Sequence, residues 1–266
     1  MYRKTTTNIR NGEYIEVYKT KKLLPKNTAR SPRRNPTTSI QEKINNRRAI
    51  NKLRLDILEN YNAGDIFYTL TYEGKTPTIQ EAENKRKNFN RRLRRECKAI
   101  NPNAVVKYIS VTDCKMDCND EEQSLKYGRI HHHILIRFEN VTISPAKVAQ
   151  IWGHGFIAVR RFKGTPKDAE RLANYFIKKD SNAFFTQNSI IKKRWSASKN
   201  LKTPQRKTAT VHRKNWRKDP KDIKGYYVDK SSVINGSFMI CEGCEYEYQF
   251  YRLIRKPQKI PPLTSS

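Results

Sequence analysis

The sequence predicts an α+β fold built around an antiparallel sheet, and two observations lead to this class. Strand-like runs rich in β-branched and aromatic residues alternate with amphipathic helical runs between residues 64 and 180. The order of these runs is β-α-β-β-α-β-α, and the first six match the split β-α-β, ferredoxin-like layout. In such a layout helices cover one face of the sheet, so we expect the other face to be free for a ligand.

The first two elements are a helix and a strand. Ser39 and Glu42 have the spacing of a capping box, and isoleucine and leucine residues then recur at helical intervals, so a helix is expected to end near Asn60. The run IFYTLTY at residues 66–72 comes next. Its β-branched and aromatic residues are apolar on both faces, which favours a buried strand.

A second helix is predicted over residues 78–98. Thr78 and Glu81 again have capping-box spacing, and Pro77 precedes them. Apolar residues recur on one face as far as Cys97, and eight lysines or arginines cover the rest of the helix. The helix therefore combines a stripe that faces the core with a strongly positive back.

The remaining elements follow by the same criteria. Serine or threonine followed by proline indicates helix starts at Ser144 and Thr165, and the second of these helices is expected to run to about Lys179. Three more strands are predicted, at residues 104–113, 129–138 and 155–162.

Basic segments flank this central region, residues 61–185. Residues 1–38 hold ten Lys or Arg, two Glu and three Pro, so they are expected to form a mobile arm, and with the first helix they make an N-terminal part over residues 1–60. Residues 186–266 are interpreted as a basic C-terminal segment with short strands.

The charge of the chain restricts its function. Its 266 residues include 55 Lys and Arg against 25 Asp and Glu, which gives a formal net charge of +30. Such an excess usually serves a nucleic-acid partner, because each cation set against a phosphate releases a counterion. A ribosomal or packaging protein is the alternative. No run of 18 apolar residues exists and the N-terminus lacks an apolar core, so neither a membrane span nor a secretory signal is expected.

The five cysteines form an odd number, which without an export signal indicates reduced cytosolic thiols. Cys241 and Cys244 form a CxxC pair, and with Cys114 and Cys118 they could bind zinc. Their irregular spacing, and a glycine at position 243 that fits a hairpin turn, favour free thiols instead.

Three consecutive histidines occupy the middle of the strand at 129–138. Because strand side chains alternate, His131 and His133 share a face and could hold one metal ion, whereas His132 points the other way. Histidines satisfied by their neighbours are the alternative. Asp113, at the end of the preceding strand, is the nearest acid in this topology, and a carboxylate beside two imidazoles suits Mn²⁺ or Mg²⁺. The loop offers competing ligands, namely Asp117, Glu121 and Glu122.

Tyr175 is a candidate nucleophile on the last helix. A helical wheel places it opposite the apolar arc, between Lys178 and Lys179. An exposed tyrosine is usually a residue at the rim of the core. Two flanking ammonium groups would favour the phenolate and could neutralise an approaching phosphate.

Three segments together resemble a known family. FYTLTY at 67–72, GRIHHHILI at 128–136 and ANYFIKK at 173–179 are similar, in order and spacing, to the three motifs of HUH endonucleases, specifically rolling-circle replication initiators of bacterial phages and plasmids. The flanking NYNAGD and KKRWSASKNLKTP resemble further features of phage replication-associated proteins.

The resemblance implies a five-stranded sheet and an activity. It makes His131 and His133 the metal-binding pair, puts Asp113 where many relatives carry a Glu ligand, and makes Tyr175 the nucleophile. Tyr175 would form a 5′-phosphotyrosyl link, leave a free 3′-OH primer and allow the strand to be rejoined. Lys179 stands where many relatives have a second tyrosine, which favours a single-tyrosine mechanism. Lys178 or Lys179 would stabilise the phosphate charge.

The expected partner is a single-stranded DNA origin, with a hairpin. The resemblance also implies a host helicase and polymerase, in the cytoplasm of a bacterial host, with no membrane. Stacking by tryptophan is one interpretation of the basic C-terminal segment, although Trp195 and Trp216 could equally belong to a core. The predicted DNA-binding residues are Arg91, Arg92, Arg95, Lys192, Lys193, Arg194 and Trp195.

Two alternatives remain at this point. One is a non-catalytic, basic nucleic-acid-binding protein whose histidines are incidental. The other is a single-tyrosine transposase or relaxase of the same superfamily. The basic extensions disfavour a compact transposase, and a relaxase places its tyrosine ahead of the histidines, whereas Tyr175 follows them.

Overall fold

The computed structural model describes residues 1–21, 39–113, 130–177, 194–241 and 244–257. The chain divides into two compact units, which are described separately. The central unit is Thr37–Lys202, and the terminal unit combines Met1–Pro36 with Thr203–Ser266.

The helices and strands within these ranges follow one another in a simple order. They are β1 (Tyr2–Ile9), a short 3-10 helix (Arg10–Gly12), β2 (Tyr14–Lys21), α1 (Ser39–Asn60), β3 (Ile66–Leu70), α2 (Ile79–Ile100), β4 (Val105–Asp113), β5 (His131–Glu139), α3 (Pro145–Trp152), β6 (Ile157–Arg161), α4 (Pro166–Phe176), β7 (Ser196–Ala197), β8 (Gln205–Val211), β9 (Tyr226–Cys241) and β10 (Cys244–Arg255). Among the described helices, none combines the length and the apolar character that crossing a membrane requires.

The described part of the central unit holds a five-stranded sheet with strand order β6-β3-β5-β4-β7. All neighbouring strands are antiparallel. In the middle of the sheet, His133 of β5 lies opposite Thr69 of β3 on one side and Val111 of β4 on the other. The predicted α+β class with an antiparallel sheet is therefore confirmed.

One face of this sheet, here called the core face, is covered by α2 and α3. The strands contribute Tyr68, Leu70, Ile134 and Ile136, all fully buried. Burial of this apolar surface is the main force that fixes the two helices on the sheet. The helix residues in the same cluster are Phe89, Leu93, Cys97, Val148, Ile151 and Trp152.

Local sequence signals determine where the helices begin. The hydroxyl of Thr78 accepts a hydrogen bond from the Glu81 backbone N–H, and the Glu81 carboxylate accepts one from the Thr78 N–H, which completes the predicted capping box of α2. Ser144 and Thr165 cap α3 and α4 with their hydroxyls, each followed by proline. The three predicted helix starts are confirmed.

The opposite face, here called the site face, carries Phe67, Thr69 and His133. Helix α4 lies on it, because Phe176 stacks on Phe67 with ring centroids 5.9 Å apart. Helix α1 packs beside α4. This face is therefore not left free of helices as the sequence suggested, and α4 ends at Phe176, before the expected end near Lys179.

The described part of the terminal unit also forms a five-stranded antiparallel sheet, with strand order β8-β1-β2-β10-β9. Residues 2–21 thus form two strands rather than the mobile arm expected over residues 1–38, and residues 22–38 lie outside the described ranges. The strands fold because they share a core that no single segment could build. That core consists of Val17, Val228, Tyr251 and Leu253.

The expectation of short C-terminal strands is also corrected. Strand β9 has 16 residues and β10 has 12, and the two pair along most of their length. A buried ion-pair group joins three strands, since Arg252 of β10 lies 3.1 Å from Glu16 of β2 and 3.4 Å from Asp229 of β9. The many polar residues of these segments concealed the strands in the sequence.

Candidate metal and tyrosine site

The site face brings two histidines and an aspartate together at the ends of adjacent strands. In the antiparallel register Asp113 of β4 lies opposite His131 of β5. The Asp113 carboxylate is 3.7 Å from Nε2 of His131 and 3.9 Å from Nε2 of His133. One ligand atom from each of the three residues lies within 4.8 Å of the others. The three residues suggested from the sequence thus form one cluster.

This cluster could hold a divalent metal ion. It offers two imidazole nitrogens and one carboxylate oxygen, a mixed set that transition metals accept. The side chains of His131 and Asp113 are 21% and 27% exposed, whereas His133 is 5% exposed. The cluster therefore opens to solvent on one side, where a substrate oxygen could approach.

Tyr175 of α4 reaches this cluster. Its hydroxyl lies 2.8 Å from Nε2 of His133, and the two rings meet edge to face with centroids 4.8 Å apart. The phenol and the imidazole pair are thus on the same side of the sheet. The packing of Phe176 on Phe67, described above, is what places the preceding residue here.

The remaining contacts of His133 fix its orientation. Nδ1 lies 3.1 Å from the hydroxyl of Thr69, and Phe67 stacks on the imidazole at 5.5 Å. Because a tyrosine O–H can donate to Nε2, the consistent arrangement puts the ring proton on Nδ1, which donates to Thr69. Nε2 then presents its lone pair toward Asp113 and His131, which is the tautomer that a metal needs.

Tyr175 is protonated in this environment. Burial raises the pKa of its phenol above the ordinary value, the negative charge of Asp113 adds to the rise, and Arg160 partly offsets it. Lys178 and Lys179, which were expected to favour the phenolate, lie outside the described residues. The described surroundings therefore favour the neutral phenol, and attack by this oxygen would require loss of its proton.

His132 points to the core face, as the alternation of the strand predicted. It is fully buried, and its Nε2 lies 2.7 Å from the hydroxyl of Tyr72. Its Nδ1 lies 2.9 Å from the hydroxyl of Thr112, which in turn donates to the carboxylate of Glu83. Burial lowers the pKa of His132 to about 3, and the charge of Arg86 contributes.

These contacts form a chain of hydrogen bonds with one direction. Since a carboxylate only accepts, Thr112 donates to Glu83 and accepts from the Nδ1–H of His132, so Nε2 of His132 accepts from Tyr72. Arg86 closes the chain with a 2.6 Å ion pair to Glu83. The chain joins α2 to the strand that carries the imidazole pair.

The predicted DNA-binding arginines of α2 lie away from the cluster. Arg91 and Arg95 are exposed on the helix that covers the core face, which is the side of the sheet opposite the site. Arg92 is engaged within the fold, since it donates to the backbone carbonyl of Trp152 at 3.2 Å. The structure therefore does not bring these three residues together with Tyr175.

The other predicted residues have mixed outcomes. Arg194 and Trp195 are half-buried next to β7. Trp216 packs edge to face on Tyr2 at 5.2 Å and lies under the ammonium group of Lys21, so it belongs to the terminal sheet. Several predicted residues lie outside the described ranges, namely Lys192, Lys193, Asp117, Glu121, Glu122, Cys114 and Cys118.

Sequence reasoning missed the residues that support the cluster. Thr69 and Phe67 lie in the first motif and were recognised only as strand residues. Their alternation with Tyr68 indicated which of them share the site face, but no local signal marked Thr69 as the partner of His133. Tyr72, Thr112 and Glu83 were missed because their contacts join distant segments.

An antiparallel α+β domain with this cluster of metal ligands and a tyrosine is consistent with phosphodiester chemistry on nucleic acid. Residues 65–180 match the family model described as Replication-associated protein ORF2, and this match supports a replication initiator family. The chain is a replication-associated protein. The matched region contains Asp113, His131, His133 and Tyr175. No curated protein and no solved structure matches the chain.

Proposed function

We propose that the protein initiates rolling-circle replication by nicking single-stranded origin DNA through Tyr175. The observation that supports this most directly is the 2.8 Å contact between the Tyr175 hydroxyl and His133, inside the cluster with Asp113 and His131. The match of residues 65–180 to a replication-associated family supports the choice of DNA as the substrate.

The reaction is a transesterification at phosphorus. The phenolic oxygen of Tyr175 forms a bond to the phosphorus atom as the bond from phosphorus to the 3′-oxygen breaks. The phenol loses its proton to solvent, and the leaving 3′-oxygen takes one up. The products are a 5′-phosphotyrosyl link and a free 3′-OH, which can prime synthesis. No energy is lost as hydrolysis, so attack by a 3′-OH on the link rejoins the strand.

Each residue of the cluster has a role in this scheme. Mn²⁺ or Mg²⁺ held by Asp113, His131 and His133 would polarise the scissile phosphate and neutralise part of its charge. Thr69 holds His133 in the tautomer that leaves Nε2 available. Helix α4 holds the phenol next to the cluster, which reduces the entropy lost in the attack. Lys178 or Lys179 would stabilise the phosphate charge.

The single tyrosine of the last motif makes one covalent link at a time. This suits an initiator that nicks, stays attached to the 5′ end and rejoins the strand when a round ends. The partners in this scheme are a hairpin origin and a host helicase and polymerase, in the cytoplasm of a bacterial host.

A covalent-adduct assay tests the proposal. The full chain is incubated with a single-stranded origin oligonucleotide and Mn²⁺, and a protein-DNA adduct that survives denaturation is expected. Tyr175→Phe should abolish the adduct. Tyr227→Phe is the matched control, because it removes an exposed phenol from the terminal unit and should leave the adduct unchanged. An adduct that persists in Tyr175→Phe would show that another residue is the nucleophile.

The net charge of +30 favours a second candidate, a non-catalytic nucleic-acid-binding protein. This candidate predicts no adduct under any condition. It also predicts that a chelator and the His131→Ala substitution leave DNA binding unchanged and reveal no further activity. The adduct assay in the presence and absence of chelator thus separates the two candidates.

A further inference from the structure

A cavity of about 300 Å³ adjoins the imidazole pair. His131 forms part of its wall, and Phe156 forms another part. The other lining residues come from the loop after β3 and from the residue before β5. They are Thr71, Tyr72, Gly74, Thr76 and Ile130. The cavity therefore begins at a candidate metal ligand and runs toward an aromatic ring.

Phe156 has an unusual environment for an aromatic residue. It is 73% exposed, the highest value among the exposed large hydrophobic residues in the described ranges. Exposed apolar surface that lines a cavity is typical of a binding site, whereas scattered apolar residues on a surface are common. Here the ring stands at the mouth of a cavity rather than at a random position on the surface.

The backbone around Phe156 is held firmly. Its carbonyl accepts hydrogen bonds from the backbone N–H and the hydroxyl of Thr71, at 3.0 and 2.9 Å. The preceding Gly155 has φ of +149°, and a Cβ there would meet the backbone nitrogen of Glu73 at 2.6 Å. Only glycine permits this close approach. The aromatic ring is thus presented by a rigid support, as an ordered binding surface requires.

A second cavity, of about 560 Å³, continues from the first, since both are lined by Tyr72 and Gly74. It adds the side chains of Lys75, Lys85 and His154. Two ammonium groups beside an aromatic-lined cavity are complementary to a polyanion that also carries flat rings. Single-stranded nucleic acid has both properties, because phosphates bind lysine and bases stack on aromatic side chains.

We propose that these two cavities form a subsite for one nucleotide next to the scissile phosphate, with its base stacked on Phe156 and its backbone phosphate near Lys75 and Lys85. This subsite rests on the proposed function, since it extends the same DNA strand beyond the cluster. Tyr175 contacts His133, whereas His131 lines the subsite. In an in-line attack the leaving group departs on the side opposite the nucleophile, so the subsite holds the nucleotide that retains the 3′-OH.

Binding of two oligonucleotides tests the subsite without any cleavage. The probes are a fluorescein-labelled dT 12-mer and a 12-mer of the same backbone with abasic residues, both measured by anisotropy in the presence of a chelator. Phe156→Ala should weaken binding of the dT probe roughly tenfold, since one stacked base contributes about 1–3 kcal/mol. It should leave binding of the abasic probe unchanged. Phe156→Trp should restore binding of the dT probe.

The matched control is Ile100→Ala, which truncates a side chain that is 61% exposed at the end of α2. It should bind both probes as the unchanged protein does. Equal binding of the dT probe by Phe156→Ala and the unchanged protein would overturn the proposal. An equal loss on both probes would overturn it as well, because stacking requires a base. A change in self-association without a change in DNA binding would assign Phe156 to a protein contact instead.

This test fails separately from the proposed function. Tyr175→Phe should bind the dT probe normally in chelator, because the phenol is not part of the subsite. A missing covalent adduct together with a Phe156 effect that depends on the base would therefore refute the nicking reaction and retain the subsite. An intact adduct without that effect would refute only the subsite.

Discussion

At the scale of single residues, His133 has two competing partners. Its Nε2 lies 2.8 Å from the Tyr175 hydroxyl, and the same nitrogen faces the Asp113 carboxylate at 3.9 Å. A lone pair that accepts a proton from tyrosine cannot at the same time bind a metal. The structure therefore describes a hydrogen bond that metal binding has to replace.

A first prediction follows from this competition. Tyr175→Phe should bind Mn²⁺ about 2- to 12-fold more tightly than the unchanged protein, because a hydrogen bond with a net value of about 0.5–1.5 kcal/mol no longer has to be broken. Isothermal titration calorimetry without DNA measures this, with Tyr227→Phe as the control. Weaker Mn²⁺ binding by Tyr175→Phe would indicate that the phenol is itself a ligand.

A second prediction concerns Thr69. Thr69→Val keeps the shape of the side chain but removes the acceptor for Nδ1–H of His133, so Mn²⁺ affinity should fall at least about tenfold. Thr69→Ser should restore most of the affinity. The same titration measures both variants, and their melting temperatures serve as the control for folding. An unchanged affinity in Thr69→Val would show that Thr69 does not set the tautomer.

At the scale of secondary-structure elements, α2 is joined to the sheet by more than apolar packing. Arg86 and Glu83 form a buried pair, with side chains 5% and 13% exposed. Arg86 also donates to the hydroxyl of Ser110 at 2.7 Å, so both partners of the pair reach β4. Burial alone would raise the pKa of Glu83, but its hydrogen bonds from Arg86 and Thr112 and the charge of Arg86 hold it below its ordinary value.

A third prediction uses this pair. Glu83→Gln leaves Arg86 buried without its counter-charge, so the free energy of unfolding at pH 7 should fall by about 3 kcal/mol. Because the pKa of Glu83 is lower in the folded than in the unfolded state, its contribution is present above the unfolded pKa and is lost as the pH falls through the folded pKa. The difference between the two proteins should therefore shrink as the pH decreases from 7 toward 3.

Urea denaturation at several pH values measures this difference. The exposed Glu170→Gln is the control, and it should change the free energy of unfolding by less than about 0.5 kcal/mol. A difference between Glu83→Gln and the unchanged protein that stays constant from pH 7 to 3 would mean that Glu83 is not ionised in the folded state.

The elements of the central unit show what a sequence can predict. The caps at Thr78, Ser144 and Thr165 involve residues three positions apart, so the helix starts were readable locally. The shared face of His131 and His133 follows from the strand period of two. The position of Tyr175 over the sheet was not readable, since it depends on how α4 packs against a strand about 100 residues earlier in the chain.

At the scale of the whole molecule, the formal charge of +30 should dominate the affinity for DNA. Single strands lose about 0.7 in the slope of log K against log salt for each phosphate neutralised. A fourth prediction is that binding of the dT probe falls by roughly a hundredfold between about 50 and 200 mM salt. The double substitution of Lys75 and Lys85 to Ala should reduce the slope by about 1.4, and Ile100→Ala should leave it unchanged.

Titrations of each variant at four salt concentrations measure these slopes. The double variant should lose affinity equally for the dT and abasic probes, because lysines contact phosphates rather than bases. A slope that is the same in the double variant and the unchanged protein would place the DNA backbone elsewhere on the molecule.

The terminal unit shows what the sequence could not reveal. Residues 2–21 contain buried Thr5, Thr7 and Lys19, which give no apolar alternation. Lys19 is accommodated because its ammonium group donates to Gln249 at 2.8 Å, a partner 230 residues away in the chain. Composition alone therefore indicated a disordered arm, since the partners that make these strands stable lie near the other end of the sequence.

The pairing of β2 with β10 also constrains the order of events during synthesis. Val17 lies opposite Tyr251, so this sheet cannot close until nearly the whole chain has left the ribosome. At about 5–20 residues per second, the first hairpin waits for more than ten seconds with one edge unpaired. Among the described strands, those of the central unit pair only with one another, so this unit can fold during that interval. A nascent chain halted before β10 would thus carry the nicking domain without its second sheet.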